Sequence, residues 1–197
     1  MMNSIKLLLV SSAFLISVSL MAQVKVNPEI QKKFDTYIEL SNQKKWDQAF
    51  DLMYPKLFTK VPKVDLVNLM TSMEADGLSL QMSNVKINSS TVEFHEGDET
   101  FVRIEYSADL SVQVTPNSLY DAPKSIAAMT EQFESSYGKT NVKWNEAGKK
   151  YMILSQKSMM AVKTNNQWYL VEINNDQKEL MEYLFSDDVM NALVRTE

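Results

Sequence analysis

The spacing of hydrophobic residues changes once along the chain. Between Asn27 and Gly77 apolar side chains recur every three or four residues, which predicts helices. One begins at the Asn27-Pro28 cap. Another begins near Trp46 with an apolar face that reaches Met53, and a third follows Pro62 with Leu69 in its apolar stripe. In 101–114 every even position is apolar or aromatic, and every odd position after the first is polar. An alternation this long predicts a strand with one face on a core and the other facing water.

The second half of the sequence predicts more strands and one inserted helix. Apolar positions at helical spacing within 123–137 predict the helix, and Gly138 ends it. Segments 150–163 and 168–173 are predicted strands joined by the TNNQ turn, and two helices close the chain. The predicted fold class is therefore α+β: N-terminal helices packed on a strongly bent antiparallel β-sheet, with one inserted helix and C-terminal helices.

Residues 1–22 have the pattern of a secretory signal peptide. Lys6 precedes an apolar run, and small residues then lead to cleavage after Ser19 or after Ala22. The chain has no cysteine, so it lacks the anchoring residue of a lipoprotein and has no disulfides. We expect a periplasmic or secreted protein in which residues 23–197 form a single domain, with no membrane contact after cleavage.

Composition excludes several kinds of chemistry. A formal net charge of -5 argues against nucleic acid as a partner. One histidine and no cysteine exclude thiol catalysis and multi-histidine zinc sites, and four scattered glycines exclude a P-loop or a dinucleotide fingerprint. We expect no metal, no cofactor and no assignable catalytic residue.

The single histidine lies in the acidic stretch EFHEGDE. His95 beside carboxylates is a candidate for a weak metal site or an acid–base centre. However, Phe94 has the apolar parity, which turns His95 towards solvent, and Gly97 suits a tight turn. The stretch therefore predicts a charged hairpin tip, unless a β-bulge reverses the parity of His95.

The order of elements resembles the NTF2-like (SnoaL-like, cystatin-like) superfamily. The stretches that carry the resemblance are the opening helix, KKWDQAFDLMYPKLF, the strand 101–114 and the hairpin AVKTNNQWYLVEI, within residues 27–114 and 141–173. YPKLF and NNQWYLVEI also resemble exported proteins of Bacteroidota. The resemblance implies a helical layer packed into the concave face of a bent sheet, around a cone-shaped pocket.

Two sets of residues are candidate binding positions. The predicted pocket wall comprises Tyr54, Phe58, Ile104, Tyr106, Leu110, Trp144 and Trp168. The predicted partner surface is the helical stripe Ile126, Met129 and Phe133, through which a homodimer is one option. The leading hypothesis is an exported non-enzymatic domain that binds a small apolar ligand or a partner protein.

Two alternatives remain open. An enzyme that resembles SnoaL or ketosteroid isomerase would use a pocket carboxylate and a tyrosine. It requires a buried Asp or Glu with a raised pKa near Tyr106. The parity of Tyr151 and Glu172 is not fixed by the sequence, so neither is assigned. The third alternative is a structural accessory subunit.

Overall fold

The computed structural model describes residues 25–194, apart from the side chains of Asn175 and Val194. The predicted signal peptide and its two cleavage positions lie outside these residues. No helix in the described part of the chain is long and apolar enough to cross a membrane.

Residues 25–194 combine helices with one six-stranded antiparallel sheet, which confirms the predicted α+β class. The helices are α1 (Pro28–Asn42), α2 (Trp46–Phe50), α3 (Lys63–Ala75), α4 (Pro123–Tyr137), α5 (Lys178–Leu184) and α6 (Asp187–Val189), which continues as a π-helical turn (Met190–Val194). The strands are β1 (Leu78–Ser90), β2 (Phe94–Glu96), β3 (Glu99–Val114), β4 (Val142–Asn145), β5 (Lys150–Thr164) and β6 (Gln167–Ile173).

The sheet is organised around the two long strands β3 and β5. They pair from Thr100–Lys163 to Gln113–Lys150, and the strand order is β1-β3-β5-β4. Strand β2 pairs with the beginning of β3, and β6 pairs with the end of β5. The register of β1 against β3 shifts twice, and Asn84 adopts a positive φ at the first shift. Such bulges bend a strand and increase its twist, and they give the sheet an inner face for the helices.

The alternation of β3 predicts its inner face correctly. All even positions from Val102 to Val114 are buried. The prediction that the odd positions face water fails at Arg103, which is buried. The C-terminal helices cover the outer face at this end, and Arg103 Nη1 donates to the carbonyl oxygen of Leu193 at 3.0 Å. Helix α1 covers the inner face at the same end, so the sheet is buried there on both sides.

Two helices differ from their predicted patterns. Helix α2 ends at Phe50, not at Met53, because residues 52–54 run beside β6 instead: the Tyr54 amide donates to Leu170 O at 2.8 Å. Helix α3 was predicted to bury a stripe that includes Leu69, but Leu69 is 54% exposed and α3 has no fully buried residue. Spacing alone identified the helix, but it overstated how deeply the helix packs.

Candidate functional site

A cavity of about 180 Å³ lies between the helical layer and the inner face of the sheet. Helices α1, α2 and α3 form one wall, strands β1, β3, β5 and β6 form the other, and the end of α4 closes one side. Its lining residues are Tyr37, Ser41, Trp46, Phe50, Met70, Leu80, Met82, Tyr106, Ala108, Leu110, Tyr137, Ser155, Lys157 and Glu172. Apolar and aromatic walls with a few polar groups are typical of small-molecule sites.

The cavity exists because two small residues face each other on the central strands. Ala108 pairs with Ser155, whereas the neighbouring inner-face positions of β3 carry Tyr106 and Leu110. The small pair leaves a hollow between the large side chains, since side chains of one face stand side by side along a strand. Trp46 on α2 and Met70 on α3 cover this hollow from the helical side.

A carboxylate and an ammonium group stand together at the cavity wall. Glu172 Oε1 lies 3.8 Å from Lys157 Nζ. Burial raises the pKa of the Glu172 carboxyl above its usual range, and the nearby Lys157 charge opposes the increase. The Glu172 side chain is still 44% exposed, because it borders the open cavity. Its carboxyl is thus partly desolvated and also accessible to a bound molecule.

Three tyrosines surround this carboxyl. Burial, assisted by the negative charge of Glu172, raises the pKa of Tyr37 to about 12 and raises the pKa of Tyr106 and Tyr137 as well. All three phenols therefore stay protonated near neutral pH. The Tyr137 ring also lies under Lys157, whose Nζ is 4.7 Å from the ring centre.

Two hydroxyls that face the cavity have no hydrogen-bond partner in the described chain. Tyr106 and Ser155 are each only 7% exposed, and within residues 25–194 neither side-chain oxygen makes a hydrogen bond. Neither oxygen is among the fully buried side-chain atoms that lack a partner, so both open into the cavity and are available to hydrogen-bond a molecule bound there.

The seven predicted pocket residues are divided among several parts of the fold. Tyr106 and Leu110 line the cavity. Trp168 lines a separate open groove of about 330 Å³ beside α1, where its Nε1 donates to Glu29 Oε2 at 3.1 Å. Ile104 is fully buried against α1. The remaining three pack elsewhere in the core: Tyr54 and Phe58 against the C-terminal helices, and Trp144 against Tyr151.

The predicted partner stripe on α4 contacts the chain itself. Ile126, Met129 and Phe133 are half-buried against the cluster around Tyr151, and the Phe133 and Tyr151 rings meet edge to face at 5.0 Å. The Tyr151 hydroxyl donates to Ile126 O at 2.8 Å and fixes α4 to β5. The three side chains are thus partly covered by the chain's own core and partly exposed.

Sequence reasoning missed the polar cavity residues Ser41, Ser155 and Lys157, and it left Glu172 unassigned. Glu172 shares the inner face with Trp168 and Leu170, at alternate positions of β6. Because β6 is buried on both faces near this end, its sequence shows no alternation from which the parity of Glu172 follows. The register of β6 against β5 supplies that information, with Glu172 opposite Met159.

His95 lies at the turn between β2 and β3, away from the cavity. Its side chain is 66% exposed, its Nδ1 is 3.0 Å from Thr100 Oγ1, and its Nε2 is 3.8 Å from Glu93 Oε2. Gly97 has a φ of 57° in the turn. Among the residues described, no three histidine or carboxylate groups are placed to hold a metal ion.

A shallow groove of about 380 Å³ lies on the outer face of the sheet, next to β3 and β5. The exposed side chains of Met152 and Leu154 border it, together with Asp109 and Lys143. It lacks buried polar groups and aromatic walls, so the inner cavity is the better candidate site.

Comparisons with known proteins leave the function to be inferred from this cavity. No family model matches the sequence, and no curated protein gives a significant match. Among solved structures, the chain is similar to a protein from the NTF2-like family of Streptomyces avermitilis, provisionally named a dehydratase. That match has 10% sequence identity and a TM-score of 0.32, and it covers 72% of this chain and 89% of the other. A similarity this low carries no argument about what the chain does.

Proposed function

We propose that this chain is an exported domain of NTF2-like architecture that binds one small, partly apolar molecule in the inner cavity. The observation that carries the proposal is an aromatic hollow into which the hydroxyls of Tyr106 and Ser155 open without a hydrogen-bond partner in the described chain. The export component rests on the sequence pattern of residues 1–22, and cell fractionation of the expressed full-length chain tests it.

The cavity volume limits the size of the ligand. An apolar cavity of about 150 Å³ accepts benzene, and pockets for drug-sized molecules begin at about 300 Å³. The hollow of about 180 Å³ therefore fits a single ring or a short chain with one polar group. Trp46 and Phe50 supply a flat apolar wall, and the β5–β6 side supplies the polar groups.

Ring probes of matched shape test the binding proposal. Toluene, benzyl alcohol and benzamide are titrated into the protein, and binding is followed by the thermal midpoint and by NMR shifts of cavity residues. A ligand at a hundred times its Kd stabilises the folded state by about 2.7 kcal/mol. Ala108→Leu fills the hollow and should abolish the response, whereas Ser111→Leu on the outer face should leave it unchanged. The proposal fails if no probe changes the midpoint or the spectrum.

A second candidate is an enzyme that resembles SnoaL or ketosteroid isomerase. The observation that favours it is Glu172, a carboxyl with a raised pKa on the same cavity wall as the free phenol of Tyr106. A desolvated carboxylate and a phenol are suited to move a proton next to a carbonyl group and to stabilise the resulting oxyanion.

Exchange of deuterium into the α-positions of cyclohexanone in D₂O, followed by NMR, tests this candidate. If the chain catalyses the exchange, Glu172→Gln should reduce the rate at least about a hundredfold, because a positioned base contributes at least that factor. An exchange rate equal to that of buffer in the presence of the unmodified protein excludes this proton transfer.

A further inference from the structure

The polar groups of the cavity are biased towards hydrogen-bond donation. The Lys157 ammonium can only donate, and the hydroxyls of Tyr106 and Ser155 have protons with no acceptor in the described chain. Glu172 is the one carboxyl group that lines the cavity, and it already faces Lys157. A molecule that fills the cavity is thus best matched if its polar end is an acceptor.

Strand register places the three donors close together. Tyr106 is the cross-strand partner of Lys157, and Ser155 lies two residues before Lys157 on the same face of β5. Cross-strand pairs have Cβ atoms about 5 Å apart, and alternate residues of a strand are about 7 Å apart. A carboxylate has two oxygens and can accept from more than one donor of such a group. The apolar wall of Trp46 and Phe50 then receives the rest of the molecule.

We propose that the cavity binds a small carboxylic acid, with its carboxylate held by Lys157, Tyr106 and Ser155, and that one proton from solvent is taken up by Glu172 for each molecule bound. This inference rests on the proposed function, since it names the class of the ligand. Charge and protons balance as follows: the ligand carboxylate, the Glu172 carboxylate and one proton from solvent form a complex in which the two carboxyl groups share that proton.

Proton uptake follows because the bound carboxylate and Glu172 compete for the Lys157 ammonium group. The groups that face Glu172 are Lys157 from β5, Tyr37 from α1, Tyr106 from β3 and Tyr137 from α4, and Lys157 is the charged one among them. When a second carboxylate enters and takes the ammonium group, the two negative charges repel each other across a partly dry site. Two carboxylates in one site then retain a proton between them.

Three probes of one shape and different charge test the inference. Benzoate, benzamide and benzylamine are titrated calorimetrically at pH 6.5, in two buffers with different heats of ionisation. Benzoate should bind at least about tenfold more tightly than benzamide, because hydrogen bonds to a charged group are stronger than neutral ones. The heats in the two buffers should differ by the uptake of close to one proton. Between pH 5.5 and 7.5 the benzoate affinity should fall by up to tenfold per pH unit.

Two variants separate the roles of the charged residues. Glu172→Gln should remove both the proton uptake and the pH dependence of benzoate binding, without loss of affinity at pH 7.5. Lys157→Met should weaken benzoate at least about tenfold and leave benzamide within about threefold, since it removes a charge-assisted contact and keeps an unbranched side chain only one atom shorter. Benzamide binding by both variants shows that the cavity is intact.

The outcomes test the carboxylic acid assignment separately from the proposal that the cavity binds a small molecule. If benzamide binds but benzoate is weaker, or if benzoate binds without proton uptake, the carboxylic acid assignment is overturned and the small-ligand proposal stands. If benzylamine binds most tightly, Glu172 is the anchoring group and the inference is overturned. If none of the three probes binds, both proposals fall.

Discussion

Replacing Ser155 with valine should stabilise the protein and impair ligand binding at the same time. Ser155 is buried, its hydroxyl has no partner within residues 25–194, and it borders a hollow of about 180 Å³. Valine replaces the hydroxyl with a methyl group and adds a second methyl group, and it suits a β-strand. The change therefore fills empty space and removes an unsatisfied polar group.

The magnitude follows from the burial. Two additional buried methyl groups contribute about 1.6 kcal/mol at about 0.8 kcal/mol each. Removal of the hydroxyl adds little, because its oxygen opens into the cavity, and incomplete contact with the cavity wall subtracts about 0.5 kcal/mol. We expect the free energy of unfolding to rise by about 1 kcal/mol, which corresponds to an increase in Tm of about 3 °C for a domain of this size.

Urea unfolding followed by circular dichroism measures the stability, and titration with benzoate measures the site. Benzoate affinity should fall at least about tenfold, because a donor and part of the hollow are lost together. Ser111→Val is the matched control: Ser111 lies on the outer face of β3, where the same change should alter stability by less than about 0.5 kcal/mol. A Ser155→Val protein less stable than the parent would refute the reasoning, since it would mean that the hydroxyl makes a favourable contact through buried water.

Three further predictions concern single positions. Gly77→Ala should lower the free energy of unfolding in urea by at least about 2 kcal/mol more than Gly97→Ala does. Both glycines have a positive φ, but of the two only Gly77 would place a new Cβ 2.5 Å from another side-chain carbon. Equal losses of stability in the two variants would contradict this. Tyr151→Phe should lower the free energy of unfolding by about 1 kcal/mol, because it removes the hydroxyl that binds α4. Tyr106→Phe should be neutral or slightly stabilising. The reverse order would show that the Tyr106 hydroxyl has a hydrogen-bond partner. Because the pKa of Glu172 is raised in the folded state, the folded protein keeps a proton there that the unfolded chain releases at about pH 4.5. The contribution of Glu172 to the free energy of unfolding should therefore decrease as pH rises from about 4.5 through the raised pKa, and it should stay constant at higher pH. Urea midpoints of the parent and of Glu172→Gln should therefore diverge across that interval, and parallel pH profiles would mean that the carboxyl is not desolvated.

Local sequence determined the secondary structure and the inner face of the longest strand. Capping by Asn27 and Ser186 depends on neighbouring residues, and both side chains accept the hydrogen bonds expected at helix starts. The inner face of β3 was readable because one side of most of that strand is polar. Tyr106 and Leu110 were identified as pocket residues for the same reason. Each of these features depends on the spacing of residues a few positions apart.

Only the tertiary structure decided which polar groups meet in the cavity. Glu172 and Lys157 are brought together by the pairing of β5 with β6, and the hollow between them and α2 results from the pairing of Ala108 with Ser155. Register between strands depends on turns and on packing along the whole sheet, and a shift of one residue would turn Glu172 to the other face. The sequence therefore determined the fold class and one wall of the site, whereas the pairing of distant strands determined its chemistry.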